Sequence, residues 1–291
     1  MQIQQLQLRH LLQLGFADLK IRQLIAHLKR IGIYDEALVV VTADHGVAFR
    51  KGLFDRRKAK PDTLAEISPV PLLVKLPGQG QGRVNDAIVE TTDIAPTILD
   101  VLSVDAPEPT DGKSVFGDVV ARRDEVKMLP RDFSDWMRVD GDEFAARKQA
   151  LIDRKVALFG SGADGPDRIY RVGPNQELIG RPVSELDAGG ESDATVALTD
   201  SGAYDDVDVD GPVLPVWVTG EVSGGAADPR DVAIAVNGVV RAVSSTFELA
   251  NRDGELIAAL IPPSSLRDGA NEIDVYEVTD GDRLARMGGS D

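Results

Sequence analysis

A run of aliphatic residues, Leu38 to Val41, is followed by Thr42 and Ala43 and then at once by Asp44, His45 and Gly46. Asp offers a hard oxygen donor and His a nitrogen donor, so the pair can ligate a divalent metal. Gly46 lets the backbone turn sharply beside them. In open α/β sheets ligands bind beyond the carboxyl ends of strands, and this triplet sits at such an end. Read from these residues alone, a helix cap beside a surface histidine competes evenly with a metal site. A second acidic run, residues 205–210 (DDVDVD), offers carboxylates suited to calcium, but its spacing is not that of an EF-hand and it reads as a solvated acidic loop.

Several elements must position the triplet. Residues 4–30 repeat apolar side chains at Leu8, Leu11, Leu12, Leu14, Ile21, Leu24, Ile25 and Leu28, the period of a helix with one buried stripe. Lys29, Arg30 and Gly32 mark its end. The β-branched run at 37–41 fits a strand buried on both faces, as in a parallel sheet. Residues 49–66 form a basic polar loop, 70–78 a second apolar strand closed by Pro77-Gly78, and 84–89 a short strand or extended segment. Thr91-Thr92-Asp93 then opens a helix with Ile94, Ile98, Leu99 and Leu102 inward. This order predicts an α/β sandwich.

The rest of the chain differs. Residues 107–150 form a weakly patterned connection, with a charged helix at 143–156. Residues 165–186 are rich in turns and could dock one unit on the other. Residues 213–278 cluster β-formers between turns, with Asn237-Gly238 as a hairpin signal, which predicts four to six strands and a small β-sandwich. The predicted organisation is an α/β portion at 1–117, a connection at 118–190 and a β-rich sandwich-like domain at 191–291.

Composition narrows the classes. The 291 residues carry a formal net charge of −16, which disfavours nucleic acid as a partner. Residues 1–100 hold 13 Lys/Arg and 11 Asp/Glu, a net of +2, so the remainder carries 19 and 37, a net of −18. This asymmetry is a second sign of two units. The chain has no cysteine, which excludes disulfides and thiolate chemistry. No apolar run reaches membrane-spanning length, and the N-terminus lacks the pattern of a signal peptide.

The helix at 4–30 and three stretches in order, LIAHLKRIGIYDEALVVVTADHG, VPLLVKLPG and VETTDIAPTILDVLSV, resemble the sulfatase family of the alkaline phosphatase-like superfamily, over about residues 5–105. The resemblance implies a metal-dependent hydrolase of sulfate or phosphate esters, with Asp44 and His45 as metal ligands. A basic residue in the following loop contacts the sulfate in that family; Arg50, Lys51 and Lys58 are placed for this, with Lys51 preferred, although no match to the family's loop pattern is clean. The chain's other histidines, His10 and His27, read as helix-face residues. With no histidine after 45, the implied cofactor is one divalent metal, Ca²⁺ before Mg²⁺ or Mn²⁺.

The family's nucleophile motifs are missing from the chain. The expectation is a C-terminal portion of a longer protein, inactive alone. The absent part would be N-terminal and membrane-anchored, the location extracytoplasmic, and the substrate a sulfated or phosphorylated small molecule or glycan. Two other readings remain at this point. One is a non-catalytic remnant whose β-rich domain binds a glycan or protein partner, with Trp217, Trp136 and Tyr276 as a possible sugar platform. The other is a phosphoglycerol or phosphoethanolamine transferase acting on envelope polymers.

Overall fold

The structure is a computed structural model that describes residues 3–53, 56–106, 108–130, 135–225, 229–249 and 252–289. The chain divides into two compact units, residues 16–154 and a second formed by residues up to 15 together with those from 155 onward.

In the unit of residues 16–154, helix α1 (Ile3–Arg30) supplies its later turns and strand β1 (Val39–Thr42) follows. Gly32, at φ 79°, makes the left-handed exit from the helix that a side chain would resist. Next come the single-turn helix α2 (Leu64–Ile67) and strand β2 (Leu72–Lys75). β1 and β2 pair antiparallel, Val40 opposite Val74. The expected parallel, doubly buried strand is thus half-buried and antiparallel, and Leu73 is 61% exposed. The ammonium of Lys75 ties β2 to the turn after α1, donating to the carbonyls of Asp35 at 2.8 Å and Ala37 at 3.0 Å. The predicted extended segment at 84–89 forms no strand.

Helix α3 (Ile94–Leu102) begins after a 3-10 turn at Thr91–Asp93. Asp93, predicted as part of a helix cap, is fully buried and does more than cap. Its carboxylate accepts from the backbone N–H of Glu90 at 2.8 Å and of Lys113 at 2.8 Å, and from both terminal nitrogens of Arg123. It thereby joins the start of α3 to Arg123, just after helix α4 (Asp118–Ala121). Strands β3 (Glu125–Met128) and β4 (Met137–Asp140) form a second antiparallel pair, and α5 (Gly141–Phe159) continues into the other unit.

In that other unit eight strands make one mixed sheet: β5 (Asp187–Leu198), β6 (Trp217–Gly224), β7 (Asp231–Val236), β8 (Val239–Ser245), β9 (Phe247–Leu249), β10 (Arg252–Leu260), β11 (Ile273–Asp280) and β12 (Arg283–Gly289). Their order is β8-β7-β11-β12-β5-β6-β10-β9, and β12–β5 is the parallel pair. The sandwich-like packing is achieved by one sheet that curls until β8 approaches β10, where the Ser244 hydroxyl donates to the Ala258 carbonyl at 3.0 Å. Period-two alternation sends Val232, Ile234 and Val236 into one core and Ala233 and Ala235 into another. Asn237 and Gly238 take positive φ, 51° and 76°, as the two-residue hairpin between β7 and β8 requires.

The turn-rich segment 165–186 covers this sheet. Leu178, Ile179 and Leu186 pack on the second core, and residues 180–183 hydrogen-bond along β8, Gly180 N–H to Val240 O at 2.8 Å and Val240 N–H to Arg181 O at 3.0 Å. An edge strand that would otherwise offer unpaired amides is covered this way.

The start of α1 seals the curl. Gln5 is fully buried; its amide oxygen accepts from Leu260 N–H at 3.1 Å and its amide nitrogen lies 3.5 Å from the Val243 carbonyl. Leu8 beside it packs on Phe159, Tyr170 and Val172. The predicted stripe of α1 is therefore deeply buried at Leu8 and not along its whole length: Leu14, Phe16 and Leu24 are each more than half exposed. Gln5→Ala is expected to destabilise this unit by about 1–3 kcal/mol, because it leaves the Leu260 amide buried without a partner. A urea titration followed by Trp217 fluorescence measures it; a midpoint unchanged from the native chain would refute the seal.

Candidate metal centre

β1 ends at Thr42, and the triplet Asp44-His45-Gly46 leaves it as a turn. The turn rests on α2. Gly46 N–H donates to Ile67 O at 2.7 Å, and a Cβ on Gly46 would lie 2.3 Å from the Glu66 carbonyl oxygen. Only a residue without a side chain fits there. Beyond it the chain dives inward: Ala48 is fully buried and Phe49 nearly so.

The two donors stay accessible, the Asp44 side chain 86% exposed and that of His45 37%. The His45 backbone N–H donates to Asp44 Oδ1 at 2.9 Å, which orients the carboxylate. His45 Nδ1 lies 2.8 Å from the Gly46 carbonyl. A carbonyl can only accept, so Nδ1 carries a proton, and in the neutral imidazole the lone pair is on Nε2. Nε2 lies 3.5 Å from Asp44 Oδ2. One nitrogen lone pair and one carboxylate oxygen thus lie side by side at a spacing that a single ion can bridge. Among the described residues no group of three or more His, Cys, Asp or Glu side chains is arranged to hold a metal.

The basic loop divides in two. Arg50 is engaged: Nε donates to Glu66 Oε1 at 2.5 Å, Nη1 to Asp62 Oδ2 at 3.0 Å, and Nη2 to the Asp62 carbonyl. Glu66 also accepts from Phe49 N–H at 3.3 Å, and its side chain is 7% exposed. Arg50, a positional candidate for anion contact, is instead a tie between the turn and α2. Lys51 and Lys58 are exposed. Glu66 and Asp62 were not singled out in the sequence; the one available signal was an acidic residue placed just before the second apolar strand.

The remaining candidates lie elsewhere. His27 Nδ1 is 2.7 Å from Arg30 on an exposed face of α1, and His10 is partly buried on the same helix. Tyr276 is buried in the second core, Trp217 packs beside Leu8 and Phe159 with the Arg9 guanidinium 5.5 Å from its ring, and Trp136 is exposed in the other unit. In the acidic loop, Asp208 Oδ1 accepts from Asp210 N–H at 3.1 Å, a local turn.

Comparison with known proteins adds the family. The family model for sulfatase matches residues 9–104, which contain the turn, α2, β2 and α3. Residues 9–104 are thus similar to the sulfatase family. The chain is 31% identical over 119 residues to an extracellular sulfatase SULF-1 homolog of Drosophila melanogaster, covering 41% of this chain and 10% of that protein. It is 30% identical over 89 residues to an endo-4-O-sulfatase of Bacteroides thetaiotaomicron, covering 31% and 17%. It is 40% identical over 79 residues to a 2,3-bisphosphoglycerate-independent phosphoglycerate mutase of Haloquadratum walsbyi, covering 27% and 15%. The chain therefore spans less than a fifth of the length of these relatives. No solved structure gives a significant match. Among the described residues no helix is long and apolar enough to cross a membrane.

Proposed function

We propose that the sulfatase-like segment contributes part of the active site of a metal-dependent hydrolase of sulfate esters, carried on a glycan or a small molecule outside the cytoplasm. One observation carries this reading: the Gly46 carbonyl fixes His45 so that Nε2 faces Asp44 Oδ2 at 3.5 Å. Asp44 and His45 are the metal ligands of this chain. A hard divalent ion, Ca²⁺ before Mg²⁺ or Mn²⁺, would polarise the ester oxygens and stabilise charge as the S–O bond breaks. Lys51, exposed on the loop after the turn, is the cation offered to a sulfate oxygen. Arg50 holds the loop and leaves substrate contact to the lysines.

Two donors are too few, because calcium takes six to eight. The nucleophile and the other ligands come from polypeptide outside the described residues, so the 291-residue chain by itself has little or no esterase activity. The mutase similarity favours a second reading at the same site, in which a phosphate ester is the substrate.

Binding of Mn²⁺, a paramagnetic stand-in for the hard cation, tests the site without requiring turnover. The His45 imidazole and the neighbouring amides should broaden selectively as Mn²⁺ is added to the full chain. In Asp44→Ala the concentration needed should rise at least about tenfold, corresponding to about 1.4 kcal/mol of lost binding. Broadening that is equal in both proteins, or that misses His45, would refute the assignment.

A further inference from the structure

We infer that Glu66 is a positioning residue for His45, holding the imidazole in the tautomer whose Nε2 can bind a metal; the consequence for metal binding rests on the function proposed above. The Glu66 carboxylate is almost wholly buried, with a side chain 7% exposed, on a helix of one turn. A carboxylate in that position requires compensation. It receives it from two groups of the chain that leaves the metal turn: the Phe49 amide at 3.3 Å and Arg50 Nε at 2.5 Å. Asp62 holds the other side of the same guanidinium, Nη1 to Oδ2 at 3.0 Å.

The turn is thereby pinned at both ends. At one end Gly46 N–H is held by Ile67 O at 2.7 Å, with Gly46 pressed against the carbonyl of Glu66. At the other end Phe49 and Arg50 are held by the Glu66 side chain. Between them lies the Gly46–Val47 peptide, whose carbonyl accepts from His45 Nδ1 at 2.8 Å. The direction of that carbonyl decides which ring nitrogen keeps the proton. Releasing the far end lets the peptide plane rotate, and glycine opposes such rotation least of all residues. The Nδ1 bond is then lost. The proton is free to move to Nε2, the atom that must present a lone pair to the metal. An ordinary surface ion pair between Glu66 and Arg50 would hold the loop and leave the imidazole unaffected, so the tautomer separates the two roles.

Nitrogen-15 NMR of the full chain at about pH 8, where an unperturbed imidazole is neutral, reads the tautomer directly. The native protein should show a protonated Nδ1 and an unprotonated Nε2 at His45. Glu66→Ala should shift His45 towards protonated Nε2 and raise the Mn²⁺ concentration for half-broadening at least about fivefold. Glu66→Gln, which keeps one oxygen for Arg50 Nε and gives up the acceptor of the Phe49 N–H, should shift the tautomer less than Glu66→Ala does. Should Glu66→Ala not fold, Arg50→Lys takes its place, since it loses the planar fork but keeps the charge, with a smaller shift in the same direction. Native tautomers in both variants would overturn the inference. A tautomer shift in the variants, with no Mn²⁺ effect on native His45, would overturn the metal reading and leave the positioning role standing.

Discussion

Replacing Asp93 by alanine should destabilise the unit of residues 16–154 by about 3–5 kcal/mol, the usual cost of breaking a buried ion pair from one side. Asp93 is fully buried, while its partner Arg123 keeps a side chain 17% exposed. The variant leaves the guanidinium without its carboxylate and strands two backbone amides, those of Glu90 and Lys113, which now donate to it at 2.8 Å each. The Glu90 carboxylate, 4.0 Å from Arg123, can replace part of the lost charge but not the acceptor of the two amides. A Cβ on Gly112 would already lie 2.1 Å from the Thr92 carbonyl, so the segment bearing Lys113 packs directly on the start of α3. Hydrogen exchange of α3 amides in rising urea measures the loss. Protection equal to that of the native chain would show that the pair is dispensable.

The same carboxyl gives the unit a pH dependence. Burial by itself would raise the Asp93 pKa; the hydrogen bonds from Arg123, Lys113 and Glu90 outweigh it and hold the group below the usual carboxylate value. The unfolded chain therefore binds the proton more readily than the folded one. The stabilisation is complete above the unfolded pKa of about 4 and is lost as pH falls from there towards the lower folded value. Asp93→Asn should remove most of that slope between about pH 4.5 and pH 3. An acid dependence as steep in the asparagine variant as in the native chain would assign the slope to other carboxylates.

Gly46→Ala is the second large effect, and it acts on the site as well as on stability. The added Cβ would sit 2.3 Å from the Glu66 carbonyl oxygen and 2.9 Å from that of Ile67, both backbone atoms. The turn must lift from α2, which breaks the Gly46 to Ile67 hydrogen bond and swings the carbonyl that orients His45. Overpacking of this kind costs about 1–3 kcal/mol. The Asp44–His45 pair separates at the same time, so selective Mn²⁺ broadening of His45 should disappear. Gly15→Ala is the control. A Cβ on Gly15 meets nothing within 4 Å, and in a helix the change should be neutral or stabilising by roughly 0.5–1 kcal/mol. If Gly46→Ala behaved like Gly15→Ala, with His45 still responding to Mn²⁺, the tight seating of the turn would be disproved.

Periodicity and turn chemistry alone located α1, α3, α5, β2, the β7–β8 hairpin and the β-rich character of the C-terminal region, because each depends on residues near one another in sequence. Asp44, His45 and Gly46, adjacent in sequence, marked a candidate turn after β1 for the same reason. What they could not announce was the support beneath it. Glu66 lies 16 residues from Arg50 in sequence, and nothing local distinguishes it from a solvated glutamate. Asp93 reads as a helix cap, and only the approach of Arg123, 30 residues later, makes it a buried ion pair. The β-branched run at β1 suggested burial on both faces. Its burial depends on which strands lie beside it, and among the described residues the strand paired with it is β2. Gln5 looked like one more polar residue on a helix until the sheet curled and brought β8 and β10 to either side of its amide. Sequence determined which residues could do chemistry and which segments could be regular. Tertiary structure decided which carboxylates are buried and which cations are engaged, because burial and pairing arise from long-range contacts that no local pattern encodes.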